Sequence, residues 1–454
     1  MSSKKTLSSR EILMGTGGLT IIFLFLWLTF FLTNPLLVFL ILFGFLFIVF
    51  ILIKPLNGLL FLIILRPTLD VFTNKSIISA GNFSLNIASL LAILAIALSF
   101  LIILKNLEEL KSIPLKFPWL LFILIIFSSL FYSISISTSI AEWIRILSIF
   151  SLYILSFILI KNPVDFKKLI YTIIFSVLIP GLVAFHQFFT QTGMTIIDEN
   201  ITNRIFGTFA HPNLLAYYLT LPIALIIFLI LSKDKYQLKN NLLYLLFIFS
   251  FAILLLTYTR GAWVVFLIVI FTLGIINYKK FLLGAFLGLI LLYLVVSPLH
   301  TRVNNLFEYN PYSSIQWRIN LWKDSLKFSQ KELFAGYGLG TANKVILDNR
   351  GEKFGSPDPH NDYLKILIEN GILGLITYLF IIIALFINLL WGYLKSNSLF
   401  NKNFFLLLIG ISLALYTMSF ADNVLRNTAL QWIFWILLGA LFSIQQKSLL
   451  ATKK

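Results

Sequence analysis

Fourteen mostly apolar stretches, each 17–24 residues long, recur along this 454-residue chain. They fall near 13–33, 36–53, 57–74, 85–104, 118–135, 142–160, 169–190, 213–232, 242–258, 262–278, 281–297, 371–394, 404–420 and 428–446. A bilayer's hydrocarbon core is crossed by a helix of about 20 apolar residues. Inside lipid, backbone N–H and C=O groups must be paired within the segment, so such runs fold as helices. The pattern predicts an all-α polytopic integral membrane protein, with residues 1–454 forming a single transmembrane domain. The third stretch is broken by Arg66-Pro67 and Asp70, which predicts a short or re-entrant segment, and little separates the first two. The expected number of transmembrane helices is therefore 12–14.

Composition agrees. Hydrophobic residues make up 59% of the chain and charged residues 12%, with a mean hydropathy of +0.95, far from a soluble domain. There is no cysteine, hence no disulfide framework and no thiolate metal site. The start, Met1 to Arg10, is short and basic and leads into the first apolar run; it reads as a retained first span rather than a cleaved signal. A net charge of +17 invites a nucleic-acid reading, but the charge is dispersed through short loops, with no basic face and no nucleic-acid motif. No nucleic-acid partner is expected.

The lysines set the orientation. With the N-terminus inside, 19 of the 26 lysines fall in inner loops; the others are Lys75 and six in the long polar stretch. Cytoplasmic loops of membrane proteins carry this bias. It predicts a multi-pass protein of the cytoplasmic (inner) membrane, both termini cytoplasmic, and a long external loop at 297–365.

The arginines run the other way. Only Arg10 falls inside, whereas Arg66, Arg145, Arg204, Arg260, Arg302, Arg318, Arg350 and Arg426 fall outside or at the outer edge. Guanidinium presents a planar fork of donors matched to phosphate oxygens and stays charged when partly desolvated. Eight such groups on one side point to an anionic ligand there. The plainer reading is that some pair with Asp70, Glu142, Asp362 or Asp422 and others reach lipid headgroups. Arg204 and Arg260 favour the ligand reading, because a charge at a membrane edge is costly without a use.

The long loop has its own order. Ile315, Ile319, Trp322 and Leu326 recur at three- and four-residue spacing, with Trp317, Leu321 and Phe328 widening their face, predicting an amphipathic helix over 315–328 that lies on the outer leaflet. Arg318 falls within its apolar arc, which fits either a ligand contact or a headgroup anchor. Gly336-Tyr337-Gly338-Leu339-Gly340 reads as a tight turn, with a backbone nest for an anion as the alternative. Then comes Pro359-His360-Asn361-Asp362-Tyr363-Leu364, where Asn361 or Asp362 can cap a helix running to Asn370. A histidine at a helix N-terminus tends to stay neutral, as a general base must; taken alone it is equally a hydrogen-bonded loop residue. His211, in Phe209-Ala210-His211-Pro212-Asn213, stands at the entrance to a span, to cap it or to line the same cavity.

Four motifs in order carry a resemblance. Asn203-Arg204-Ile205-Phe206-Gly207-Thr208 through Asn213, then Thr259-Arg260-Gly261, then the glycine run, then Pro359 to Leu364 continuing through Glu369-Asn370-Gly371 to Leu375, resemble the O-antigen ligase and O-antigen polymerase superfamily over about 200–420. The resemblance implies a GT-C-like helical fold with a long external loop carrying short amphipathic helices. It implies a glycosyltransferase that takes a glycan from undecaprenyl diphosphate on the outer face of the membrane. The acceptor hydroxyl would belong to lipid A-core, as in ligases, or to another lipid-linked repeat unit, as in polymerases. It implies inversion, no metal and no cofactor. His360 matches the loop base, Arg204 and Arg260 match diphosphate-binding arginines, and Arg318 matches a third such arginine less closely; His211, Asn361 and Tyr363 would support them.

The residues suit that chemistry. A sugar hydroxyl needs a base to take its proton, and fixed guanidiniums stabilise the charge that grows on a departing diphosphate. No Asp-x-Asp cluster stands in an outer loop. A lipid-linked glycan flippase is the alternative of another class, but transporters commonly show internal repeats, and none is evident.

Overall fold

The computed structural model describes residues 53–73, 76–80, 83–196, 201–232, 240–276, 278–295, 314–351, 356–451. The chain divides into two units, 1–59 and 60–454, and the architecture below is that of the second. The spans expected at 13–33 and 36–53, and His300 and Arg302, lie outside the described residues.

The described residues are overwhelmingly helical. Seven helices are long and apolar enough to cross a membrane, and four shorter apolar helices join them. In chain order the helices are α1 (Pro55–Thr68), α2 (Ile87–Lys105), α3 (Lys116–Ser128), α4 (Ile136–Leu159), α5 (Pro163–Phe175), α6 (Leu178–Thr190), α7 (Pro212–Ser232) and α8 (Asn240–Leu256). There follow α9 (Arg260–Ile276), α10 (Lys279–Val295), α11 (Ser314–Ser329), α12 (Ala342–Arg350), α13 (Asp362–Lys395), α14 (Leu399–Met418) and α15 (Thr428–Ala451). This is an all-α polytopic membrane protein. Twelve of the fourteen expected stretches coincide with helices, α5 and α6 together filling the seventh.

Two small antiparallel hairpins interrupt the helical pattern: β1 (Ser76–Ala80) with β2 (Phe83–Asn86), and β3 (Met194–Ile196) with β4 (Ile201–Arg204). The second pairs Met194 with Arg204, which fixes Arg204 at a strand end.

The core is built on α7 and α15. From Leu215 to Leu229 every residue of α7 is buried, and α15 is buried across its whole spanning window. Helices buried all round are expected to be apolar all round, as both are. α15 runs along α4, and α14 along α9. A Cβ at Gly439 would lie 2.3 Å from the Tyr153 carbonyl, so only glycine allows α15 this close to α4. Small residues at helix contacts are the usual route to packing in lipid. Trp432 Nε1 donates to Ser148 Oγ across the contact at 3.0 Å.

Local breaks place the polar groups. α1 ends at Thr68 just past Pro67, and Arg66 is tied to Asp70 at 2.5 Å with both buried, as expected for an interrupted segment. Asn361 Oδ1 accepts from Leu364 N and caps α13. Gly371, with φ +60°, breaks α13 after Asn370, where the sequence predicted the join between a short helix and a span. A Cβ there would meet the Phe334 carbonyl at 2.2 Å.

In the long loop, α11 covers the predicted amphipathic helix, but its buried line differs. Leu321, Ser325 and Ser329 are buried, whereas Leu326 is 46% exposed. Leu321 packs with Ala342, Val345, Ile346 and Ile368 in a small separate core, helped by Trp317, Phe328 and Tyr337. The glycine run is a turn that clasps the end of the first segment of α13: Tyr337 N donates to Ile368 O and Gly338 N to Glu369 O. The alternative, an anion nest, is occupied by the chain itself, since Ala342 N donates to the Glu369 carboxylate at 3.4 Å.

Candidate functional site

Arg204, Arg260, Arg318, His211 and His360 come together where the first residues of α7, α9 and α13 meet the loop 419–427 after α14. Each is placed by a local device. Arg204 ends β4 and is 5% exposed. Its Nε donates to Thr257 O at 2.8 Å, and one terminal nitrogen donates to Asn213 Oδ1 at 3.0 Å and Thr259 Oγ1 at 3.1 Å. Tyr258, with φ +51°, makes the turn that presents Arg260 as the first residue of α9. Arg318 lies on α11 and donates to Ala421 O at 2.6 Å.

The guanidiniums oppose one another. Burial first, and then the charge of Arg260, pushes the Arg204 guanidinium down to about 10, against a weaker pull from Asp422. Arg318 likewise repels Arg260. Such a group of cations is costly to hold together unless something negative binds between them.

Asp422 is the carboxylate at the centre. Its Oδ2 accepts from Asn213 Nδ2 at 2.9 Å; its Oδ1 accepts from Asn423 N at 2.9 Å and meets His360 Nδ1 at 3.2 Å. Burial opposes its charge, but His360, Arg318 and the Asn423 N–H outweigh burial and hold the carboxyl below its usual range. A continuous hydrogen-bonded path thus runs Arg204–Asn213–Asp422–His360. With Asp422 ionised, the His360 proton sits on Nδ1, leaving Nε2 as the nitrogen with a free lone pair. His360 itself has φ +46°, a strained conformation for a non-glycine residue. Its N–H donates to Asp358 Oδ1 at 3.3 Å, and Trp322 Nε1 donates to the preceding Pro359 O.

The remaining predicted residues have supporting places. His211 Nδ1 accepts from Asn213 N at 3.1 Å and so caps α7. Burial, then the Arg204 charge, pushes its imidazole down to about 4, so it stays neutral. Asn361 serves as the cap of α13. Tyr363 lies outside the charged group: its hydroxyl donates to Tyr416 O, and its ring packs on Phe420 with centroids 4.3 Å apart. His186 is exposed on α6 and takes no part.

The other described arginines expected on the outer side follow the plainer reading. Arg66 pairs with Asp70, Arg145 with Glu142, Arg350 with Asp324 and Arg426 with Asp358. Asn213 and Asp358 had no assigned role in the sequence reading, and Asp422 was named there only as a possible arginine partner. The available signal was an acidic residue, Asp422, in a short loop between two apolar spans, which is rarely there without a use.

Fold and site define a polytopic membrane protein with a cationic, histidine-bearing polar corner at one set of helix ends. Residues 245–379 match the family described as O-antigen ligase, a match that supports the O-antigen ligase/polymerase superfamily. The matched stretch contains Arg260, Arg318 and His360, while Arg204, His211 and Asp422 flank it. No curated protein matches the chain.

Proposed function

We propose that this protein is a metal-independent glycosyltransferase of the O-antigen ligase type. It transfers a glycan from undecaprenyl diphosphate to an acceptor hydroxyl on the outer face of the cytoplasmic membrane. The observation that carries this reading is His360 Nδ1 on Asp422, with Arg204, Arg260 and Arg318 gathered around the pair. The acceptor oxygen attacks the anomeric carbon opposite the diphosphate, and the carbon–oxygen bond to phosphate breaks. The bonding pair leaves on the phosphate oxygen, where Arg204, Arg260 and Arg318 meet the added charge. The acceptor proton passes to His360 Nε2, and Asp422 stabilises the imidazolium that results. Attack from the opposite face inverts the anomeric centre.

A lipid-linked donor fits the surroundings. Arg260, Leu267 and Phe271 fall on one face of α9 by helical spacing. Leu267 and Phe271 line an apolar groove with Leu282, Phe286, Leu289 and Leu413. Leu267 lies about 10 Å along the helix from Arg260 at 1.5 Å per residue. An anionic headgroup at the arginines would leave its hydrocarbon beside that groove.

The test is mass spectrometry of the undecaprenyl-diphosphate glycan pool in a strain lacking the gene, complemented by wild type or His360→Ala. Accumulated long lipid-linked chains with His360→Ala indicate a ligase, and accumulated single repeat units indicate a polymerase. Wild-type behaviour of a folded His360→Ala protein overturns the assignment.

A further inference from the structure

On α3, Leu120, Leu124, Phe127 and Phe131 are exposed and recur at three- and four-residue spacing, so they form one row along the helix. On α13, Leu373, Ile376 and Phe380 begin another. The two helices meet at Phe117 and Phe380, whose ring centroids are 6.3 Å apart. On spanning helices an exposed apolar row of this kind faces hydrocarbon.

The α3 row does not stop where a water-facing loop should begin. Phe131, at its end, is 80% exposed, and Phe334 in the long loop is 74% exposed. The helical run Lys116–Phe131 is about 24 Å long at 1.5 Å per residue. The hydrocarbon core is about 30 Å thick, and tilt only shortens a helix's reach across it. With Lys116 at one boundary, Phe131 stops at or short of the other.

The long loop is tied to this level. Tyr132 Oη donates to Ala335 O at 2.7 Å, and Ile134 N donates to Tyr337 O at 3.2 Å. Ile372 N, at the start of the spanning part of α13, donates to Leu333 O at 2.8 Å. Leu333 and Phe334 therefore stand beside the first residues of that span. Charged groups rim the patch: Lys331 and Glu332 are exposed just before Leu333, and the exposed Lys344 donates to Ile134 O at 3.4 Å. Aromatic rings edged by lysines suit the boundary between acyl chains and phosphates.

We propose that Phe131, Tyr132, Leu333 and Phe334 form a wedge that enters the bilayer at the His360 end of the spans, with phospholipid as its partner. The inward line of α11 is used by the small core around Leu321, so the wedge, rather than the face of α11, anchors the long loop. Tyr337 and Gly338 clasp Ile368 and Glu369, and the anchor thereby sets the depth of the segment that starts beside His360. None of this rests on the donor-binding reading of the arginines.

The chain has no cysteine, so a single substitution carries a single nitroxide label. Full-length Phe131→Cys, Phe334→Cys, Ile376→Cys and Asp348→Cys proteins are labelled in nanodiscs of phosphatidylcholine and phosphatidylglycerol. Collision of each label with oxygen, which concentrates in lipid, is compared with collision with a water-soluble nickel chelate. The Ile376 position marks lipid, and Asp348, exposed on α12, marks water. The labels replacing Phe131 and Phe334 are expected to shift to the oxygen-rich ratio of the Ile376 position. A nickel-rich ratio like that of the Asp348 position, at either site, overturns the proposal. Shielding from both reagents also overturns it, since protein, a second copy included, would then cover the patch. The two sites are read separately, so a variant that fails to fold leaves the other to decide.

Discussion

Two groups of charged side chains share the loop 419–427, and they follow opposite rules. On one side Arg145 forms two hydrogen bonds with Glu142, at 2.8 and 2.7 Å, and a third with Leu425 O at 2.8 Å. Leu425 N donates to Asp362 at 2.8 Å, and Asp358 accepts from both Arg426 and Asn423 at 2.6 Å. Charge there is answered by charge, and the carbonyl and amide of Leu425 are both used, with Asn423 Oδ1 the loop side-chain atom left over among the described residues. On the other side Arg204, Arg260 and Arg318 gather around Asp422, which is itself engaged by an asparagine, a backbone amide and His360. A buried donor, Arg318 Nε, is left over there among the described residues. A saturated polar cluster fixes geometry, whereas an unsaturated one has capacity to bind. The first group therefore holds the loop, and the second is the donor site we propose.

Substitutions in the unsaturated group should strike activity with little effect on folding. Asp422→Asn is expected to have the largest effect. An amide in place of the carboxylate can hold the wrong imidazole tautomer and gives no stabilisation to the imidazolium. Turnover should fall on the order of 10³-fold or more, with the unfolding temperature close to wild type; a near-wild-type rate in a glycan-transfer assay would remove His360–Asp422 from the chemistry.

Arg204→Lys comes next. Lysine keeps the charge but cannot reach Thr257 O, Asn213 and Thr259 with one planar fork. A loss of about 100-fold in turnover is expected, the scale of one misplaced transition-state donor. Equal rates would mean that Arg204 acts only as diffuse positive charge.

The saturated group should respond in the opposite sense. Arg145→Met leaves Glu142 charged and largely buried, with Leu425 O unanswered. Breaking such a pair costs about 3 kcal/mol of stability, read as a drop in unfolding temperature, while turnover per folded molecule stays near wild type. If Arg145→Met instead lost activity at unchanged stability, the division between the two groups would collapse.

The spans were legible because hydropathy at membrane length has few other solutions. Arg204, Arg260 and His360 were legible because the arginines depart from the lysine rule and the histidine sits at a helix start. Asp422 was not assigned to His360, because 62 residues and two spans separate them in sequence. Asn213 Oδ1 and Nδ2 bridge Arg204 and Asp422, which no local pattern encodes. On α11 Leu321 turns inward as expected, but Ser325 and Ser329 turn inward with it while Leu326 is exposed, and periodicity does not tell a core-facing stripe from one facing lipid.

The smallest expected effect is on pH dependence, and it probes the boundary between the two groups. Burial opposes the Asp358 charge, but Lys365, Arg426 and His360 together with Asn423 outweigh it and hold the carboxyl below its usual range. A carboxyl whose folded pKa is depressed contributes stability that is present above its unfolded value, about 4, and is lost as pH falls through the folded value. Asp358 should thus help keep the loop assembled at neutral pH and release it only below about pH 4. Asp358→Asn should lower the unfolding temperature slightly near pH 7, because Arg426 is half-exposed and solvent screens the pair. The difference from wild type should shrink as the pH is taken below 4. A gap that stayed constant across that range would mean that Asp358 contributes through its shape and neutral hydrogen bonds, and that only the arginine-rich side of the loop is governed by charge.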